Sequence, residues 1–478
     1  MTTTADTARG LVIAEGAPTL TEALVRHVTA TEYEEIDGGT IERAKVRLID
    51  SLGNIAAGHG AQGNAAVLAL AGRWGGTPES TVLVDGMRIP AQNAAMANAV
   101  MMRSYDFEAI GAEGPDRTQV AAHISGTTVP VALAVGEQQG SSGRELLTAL
   151  VLGDDVASRL AVASGFDVYS GQDNTGTVNG LGGAALAGRL MGLDETQLRN
   201  ALGIVENQLA GTVANIFDQT LAFKLPMAFA ARNAIVSVEL AEFGFTGPVD
   251  AIGGRHGFLD MYCTDPKPER ILHRLGEEFY GDCVIKPWSS CRASHPSLDA
   301  CVRLAAEAPL ELEAVEKIRI HVTPRTLRGF VGAPFEIGDC PEVSGAFSIR
   351  FTAATALMYG TVRPEHLNVD HMRDPKLVAL LDKIELVDLL PAHEYLTAEV
   401  ELFMRDGVRQ HSRVDVPRGD IYTAPLAEAE ILEKYFANVD FGGVVARSDA
   451  ERAVELVLGL EHQEDLSTLI NLFTPHAN

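Results

Sequence analysis

The chain is poor in aromatic residues, at 6% of its 478 positions, and poor in cations, with 38 Lys and Arg against 64 Asp and Glu. The resulting net charge of −26 excludes nucleic acid and anionic lipid as natural partners, because such a surface repels polyanions. Cysteine is sparse and odd in number: Cys263, Cys283, Cys291, Cys301 and Cys340. The N-terminus MTTTADTARG has no cationic stretch leading into an apolar one. The cysteines therefore read as free thiols in a reducing cytoplasm. No run of eighteen apolar residues occurs, so no membrane partner is expected.

Several motifs are missing too. No G-x-G-x-x-G follows a strand and no G-x-x-x-x-G-K-[ST] occurs, which leaves nucleotide binding without a signal. There is no H-E-x-x-H and no C-x-x-C, and the cysteines are too widely spaced for a local iron–sulfur cluster. The G-x-S-x-G turn of a serine hydrolase is absent. No metal and no cofactor is expected, and any enzyme here must work with acid–base side chains.

What is present is a large apolar fraction, 46%, together with 46 glycines. This composition predicts a core of Ala, Val and Leu with closely packed helices. The length allows two or three domains at about 150 residues each. Residues 1–20 read as a flexible arm. Ile41, Ala44, Leu48, Leu52 and Ile55 mark a helix face, with Thr40 as N-cap and Gly58 as stop. TVLVDGMRI (81–89) predicts a small hairpin turning at Asp85-Gly86. Ser142 with Glu145, and Asp194 with Gln197, are capping boxes that open two more helices. Another helix runs from about Pro226 to Phe243.

Past Lys286 the texture changes. VEKIRIHV (315–322) alternates at period two, and 397–416 reads as a hairpin turning at Asp406-Gly407. Residues 343–358 and 375–383 look helical, and helix returns after Pro425. This is an α+β segment, and the helical tail after it could pack back onto the first helical block.

Three stretches carry candidate chemistry. Residues 103–130 offer Arg103, Asp106, Glu108 and His123, with a helix start after the histidine whose free N–H groups suit a carboxylate. A solvated surface loop is the alternative. Residues 217–234 hold Lys224 alone among apolar neighbours, either snorkelling outward or kept for a buried anion. Residues 286–300 gather Lys286, Arg292 and His295 within ten positions, at the mouth of a helix opened by Pro296 and Ser297. These residue types suit removal of a proton beside a carboxylate. Cations neutralise the developing dianion, and an imidazole titrates near neutrality.

RAKVRLIDSLGNIAAG (43–58), AAMANAVMMRSYDFE (94–108), HISGTTVPVALAVGE (123–137), KPWSSCRASHPSLDA (286–300) and GDIYTAPLAEAEILEKYF (419–436) resemble stretches of the MmgE/PrpD family, in the family's order and across nearly the whole chain. That family includes 2-methylcitrate dehydratase, cis-aconitate decarboxylase and iminodisuccinate epimerase. The resemblance implies a homodimeric lyase, a dehydratase or decarboxylase, acting on a small di- or tricarboxylic acid. An epimerase using the same site, with His123 and His295 as facing bases, and a non-catalytic carboxylate binder are the alternatives. The resemblance also implies a mainly α fold with an α+β lid, residues 21–287 and 426–478 forming the helical domain and 288–425 the inserted lid, and catalytic positions at Asp106, His123, Lys224 and His295. The clustered cations Arg103, Lys286 and Arg292 are expected to contact substrate. Glu108, Ile110, Met227 and a long Asp106–His123 loop depart from the family's pattern.

Overall fold

The structure, a computed structural model, describes residues 18–307 and 311–475. Most of the expected N-terminal arm, residues 1–17, lies outside the described residues. Thr19 caps the first helix, α1 (Leu20–Ala30), in a capping box with Glu22.

The first body is a pack of helices: α2 (Gly38–Gly58), α3 (Asn64–Trp74), α4 (Ala91–Arg103), α5 (Ser125–Gln139), α6 (Gly143–Ala163), α7 (Val178–Leu190), α8 (Glu195–Glu206) and α9 (Leu225–Glu242). Both capping boxes form as the spacing predicts, at Ser142/Glu145 and at Asp194/Gln197. The cap of α2 does not. Asp37, not Thr40, is the N-cap, and its carboxylate accepts from Thr40 N at 2.9 Å. An aspartate three residues upstream outcompetes the threonine because it starts the helix one turn earlier. Helix α9 has the composition of a membrane span, yet it packs against α4, α5, α7 and α8 within the helical body.

The small hairpin near 81–89 is reduced to two pairs, β1 (Ser80–Thr81) with β2 (Arg88–Ile89). Its positive-φ residues are Val84 and Gly86 rather than Asp85 and Gly86. Val84 N donates to Phe473 O instead, so the C-terminal segment shapes this turn. A sheet that the helical reading of 21–287 missed joins β3 (Ile110–Gly114), β4 (Thr118–Val120) and β5 (Asp282–Val284), all antiparallel. The long stretch between Asp106 and His123 is thus largely a hairpin.

The second body has a four-stranded sheet of order β7-β6-β8-β9: β6 (Val315–His321), β7 (Ile384–Val387), β8 (Ala398–Met404) and β9 (Arg409–Val414). The β8–β9 hairpin turns at Gly407 with φ +86°. Helix α10 (His295–Glu307) lies on β8 and β9, and α11 (Ile349–Tyr359) packs on α10. Two apolar cores result. One joins α1–α9 to the returning helices α12 (Glu428–Gly442) and α13 (Arg447–Leu458), and includes Tyr435, Val439 and Val457. The other joins the sheet and its helices to Tyr105, Phe107, Val213 and Phe223 from the first body. The candidate site lies where these cores meet.

Candidate active site

Helix α4 ends at Arg103, and the next five residues fold back over its end. Asp106 takes a left-handed φ of +47°, a conformation that aspartate tolerates better than most residues. Three buried cations hold this turn. Arg103 Nη1 donates to both Asp106 Oδ1 and Glu108 Oε1. Lys286 Nζ donates to Asp106 O at 2.6 Å and lies 3.0 Å from Asp106 Oδ2. Lys434 Nζ donates to Phe107 O at 2.7 Å and pairs with Asp50 at 2.6 Å. Burying so many charges is tolerable because each is paired.

His123 arrives from the other side, between β4 and α5. Asn179 Nδ2 donates to His123 O at 2.8 Å. The N–H groups that open α5 are already taken: Asp282 accepts from Ile124 N at 3.3 Å and from Ser125 N and Oγ at 2.8 Å each. The expectation that this helix start binds a substrate carboxylate is therefore corrected, since a protein carboxylate occupies it. Pinned on both flanks, the His123 ring sets Nδ1 2.9 Å from Glu108 Oε1 and Nε2 3.9 Å from Asp106 Oδ1.

The electrostatics follow from burial and from these neighbours. Burial works against ionised Glu108, but Arg103 and then His123 overcome it and hold the carboxyl well below the usual range. Burial, then Arg103, push the His123 imidazole below its ordinary value, against the opposing pull of Glu108. His123 is thus a neutral imidazole held by a carboxylate, with Nε2 left for a proton.

Arg103, Asp106 and His123 line one cavity of about 180 Å³ together with Asp173, Cys291 and Arg292. Arg292 Nη2 donates to Pro417 O at 2.9 Å and Nη1 donates to Arg418 O, while the buried Nε has no acceptor. Burial lowers Arg292 to about 10, so it stays charged at neutral pH. The same burial pushes the Cys291 thiol up to about 12, which removes it as a nucleophile.

Three expected site residues are not among those lining this cavity: Lys224, His295 and Lys286, whose amine is engaged by Asp106. Lys224 Nζ donates to Gln62 O at 2.8 Å and Asn64 Oδ1 at 3.2 Å, so its donors serve the loop before α3. Its neighbour Phe223 is the one that meets the site, under the Arg103 guanidinium at 4.1 Å. His295 is fully buried, with Nδ1 3.2 Å from Arg292 Nη1 and Nε2 3.2 Å from Ser290 O. Burial and then Arg292 push it well below the ordinary imidazole value, so it orients Arg292 as a neutral ring. A two-base epimerisation loses its second base by this placement. Met227 packs against Gly126 in the core, and Ile110 contributes an apolar wall to the cavity.

Glu108, a candidate from sequence without an assigned role, is the neighbour of His123 at 2.9 Å, and Asp282 caps the helix start that places His123. Nothing in their local spacing signals either role. Asp106, Glu108 and His123 lie close enough to share a metal ion. However, Arg103 and Lys286 already neutralise both carboxylates, so a further cation there would meet two positive charges.

An imidazole beside a carboxylate, facing a cavity edged by arginines between a helical body and an α+β one, is an arrangement suited to acid–base chemistry. The chain belongs to the MmgE/PrpD family: the model of the family's N-terminal domain matches residues 22–271, and that of its C-terminal domain matches 288–462. Among its relatives is the cis-aconitate decarboxylase of Mus musculus, 26% identical over 474 residues, covering 95% of this chain and 93% of that protein. The cis-aconitate decarboxylase of Homo sapiens is 27% identical over 405 residues, covering 81% and 80%. That of Aspergillus terreus is 25% identical over 416 residues, covering 82% and 83%.

Proposed function

We propose that this enzyme is a lyase that moves a proton beside a carboxylate of a small di- or tricarboxylic acid, with loss of CO₂ or water. The observation that carries the reading is the Glu108–His123 pair, 2.9 Å apart, in a cavity that also contains Arg103 and Arg292. For loss of water, His123 Nε2 takes the proton beside the carboxylate and Glu108 stabilises the imidazolium that forms; for loss of CO₂, the departing carboxylate leaves its electron pair on carbon, and the imidazolium beside Glu108 returns a proton to that carbanion. Arg103 keeps Nε and Nη2 for a substrate carboxylate, and Arg292 offers its unaccepted Nε. Asp106, locked by Lys286, holds Arg103 in place. Similarity to decarboxylases supports loss of CO₂ as the first reaction to try.

The test is to incubate the protein with cis-aconitate, 2-methylcitrate and related acids and to follow the mixture by proton NMR. Turnover that falls about 10²-fold or more in His123→Asn, at unchanged melting temperature, is expected for a general base. Turnover that survives this substitution removes His123 from the mechanism, and no turnover or binding of any acid ends the proposal. The homodimer remains part of the same reading. The exposed run Phe243, Phe245 and Val249 (88%, 60% and 58% accessible) offers it an apolar face. Sedimentation at the mass of one chain would remove that element.

A further inference from the structure

We infer that the substrate of this site carries two carboxylates and an apolar arm of several carbons, where a citrate-type acid carries its third carboxylate; the inference rests on the lyase reading above. Two independent features of the cavity lead there. The first is charge. Arg103 and Arg292 are the cations of the lining, and Asp106 and Asp173 are its acids. Adding the partners directly behind them, Lys286 and Glu108, gives three cations against three carboxylates. His123 is neutral there, as its lowered basicity requires. A tricarboxylate would thus enter a site with no net positive charge to receive it. Arg103 and Arg292 can each meet one carboxylate, and no third cation lines the cavity.

The second feature is the apolar part of the lining. It is built from Ile110, Val168, Val213, Ile216, Phe330 and Phe347. Phe330 and Phe347 meet edge to face at 5.5 Å. Ile216, Phe330 and Phe347 also line a smaller cavity, about 40 Å³, whose other residues include Phe217, Phe335 and Val343 and, among its polar ones, Glu336 and Gln219 but no cation. The apolar residues of the main cavity thus border a second space whose only charged lining residue, Glu336, would repel an anion. A third carboxylate placed against these apolar residues would be desolvated without a partner, whereas an alkyl chain gains from burial there.

The experiment is calorimetric titration of the intact protein with a matched series. Citrate and cis-aconitate form one arm. 2-Alkylmalates and 2-alkylmaleates, with chains from methyl to hexyl, form the other. Affinity is expected to rise about fourfold per methylene over the first few carbons and to exceed that of both tricarboxylates at least tenfold by butyl. An Ile216→Arg variant, which adds the missing cation to that part of the lining, is expected to flatten the chain-length dependence and strengthen cis-aconitate binding. Tricarboxylates that bind as tightly as the butyl compounds, or affinity independent of chain length, overturn this inference and leave the lyase reading standing. If the wild-type protein binds no acid of either arm, the lyase reading fails and this inference falls with it.

Discussion

At the scale of single residues, the decisive pair is Glu108 with His123. The imidazole is a base whose basicity is lowered first by burial and then by Arg103, and Glu108 opposes both. The acid limb of the kcat/KM profile should therefore fall below the ordinary imidazole range near 6.5. Glu108→Gln withdraws the opposing charge, so the limb should move further acid while the plateau drops by about 10²-fold. A plateau that drops with no shift of the limb would show that Glu108 only shapes the turn. Asp282 gives a second residue-scale prediction. Burial raises its carboxyl to about 7, so the folded protein keeps a proton that the unfolded chain has lost. The stability this supplies is present at low pH and is lost as pH climbs from about 4 to about 7, at up to ~1.4 kcal/mol per pH unit. Asp282→Asn cannot titrate, and its carbonyl can still accept from Ser125 N. Urea unfolding should then show the variant gaining on the wild type between pH 5 and pH 8, and a constant gap would refute the assignment. Composition and spacing exposed Arg103, Asp106, His123, Lys286 and Arg292, because charged residues stand out in an apolar, Ala-rich sequence. They could not separate Lys224 and His295, whose donors are spent on Gln62, Asn64 and Ser290 across sequence distances that only the fold closes.

At the scale of elements, local signals were legible where the local chain decides. The boxes at Ser142 and Asp194 and the Gly407 hairpin are satisfied by residues within a few positions. The β3–β5 pairing is not, since Ile110 finds Val284 and Ala112 finds Asp282 from some 170 positions away. The same limit applies to helix crossings. Gly58 closes α2, and a Cβ there would sit 1.9 Å from Met101 O of α4. That carbonyl is backbone, so Gly58→Ala must push α2 from α4, which ends at Arg103 in the site. A loss of at least about 2 kcal/mol in urea unfolding is expected, with reduced activity at temperatures where the variant is still folded. Gly60→Ala is the control: no atom lies within 4 Å of its Cβ position, and a change within about 0.5 kcal/mol is expected. Equal effects at the two positions would mean that the α2–α4 contact does not govern stability here.

At the scale of the whole molecule, a site for acids sits inside a protein of net charge −26. The cavity's own charges are balanced, so no local excess of cations draws an anion in, and the long-range field of the surface opposes its approach. Added salt should therefore help rather than hinder capture. At low ionic strength the repulsion reaches roughly 30 Å, and at 0.15 M about 8 Å. Raising an inert salt from about 0.01 to 0.15 M should increase kcat/KM for an acidic substrate several-fold, chiefly through KM, because encounter is what the field impedes. Buried pairs such as Lys286–Asp106 lie beyond the reach of screening ions, so kcat should hardly move. The opposite trend, kcat/KM falling as salt rises, would show a cationic funnel stronger than the overall charge. It would count against the balanced cavity from which the apolar-armed dicarboxylate was inferred. The slope should also steepen with substrate charge, so that a tricarboxylate responds more than a dicarboxylate of the same length. Measuring both on one preparation separates the surface field, common to all acids, from the pocket's own discrimination, which salt leaves in place.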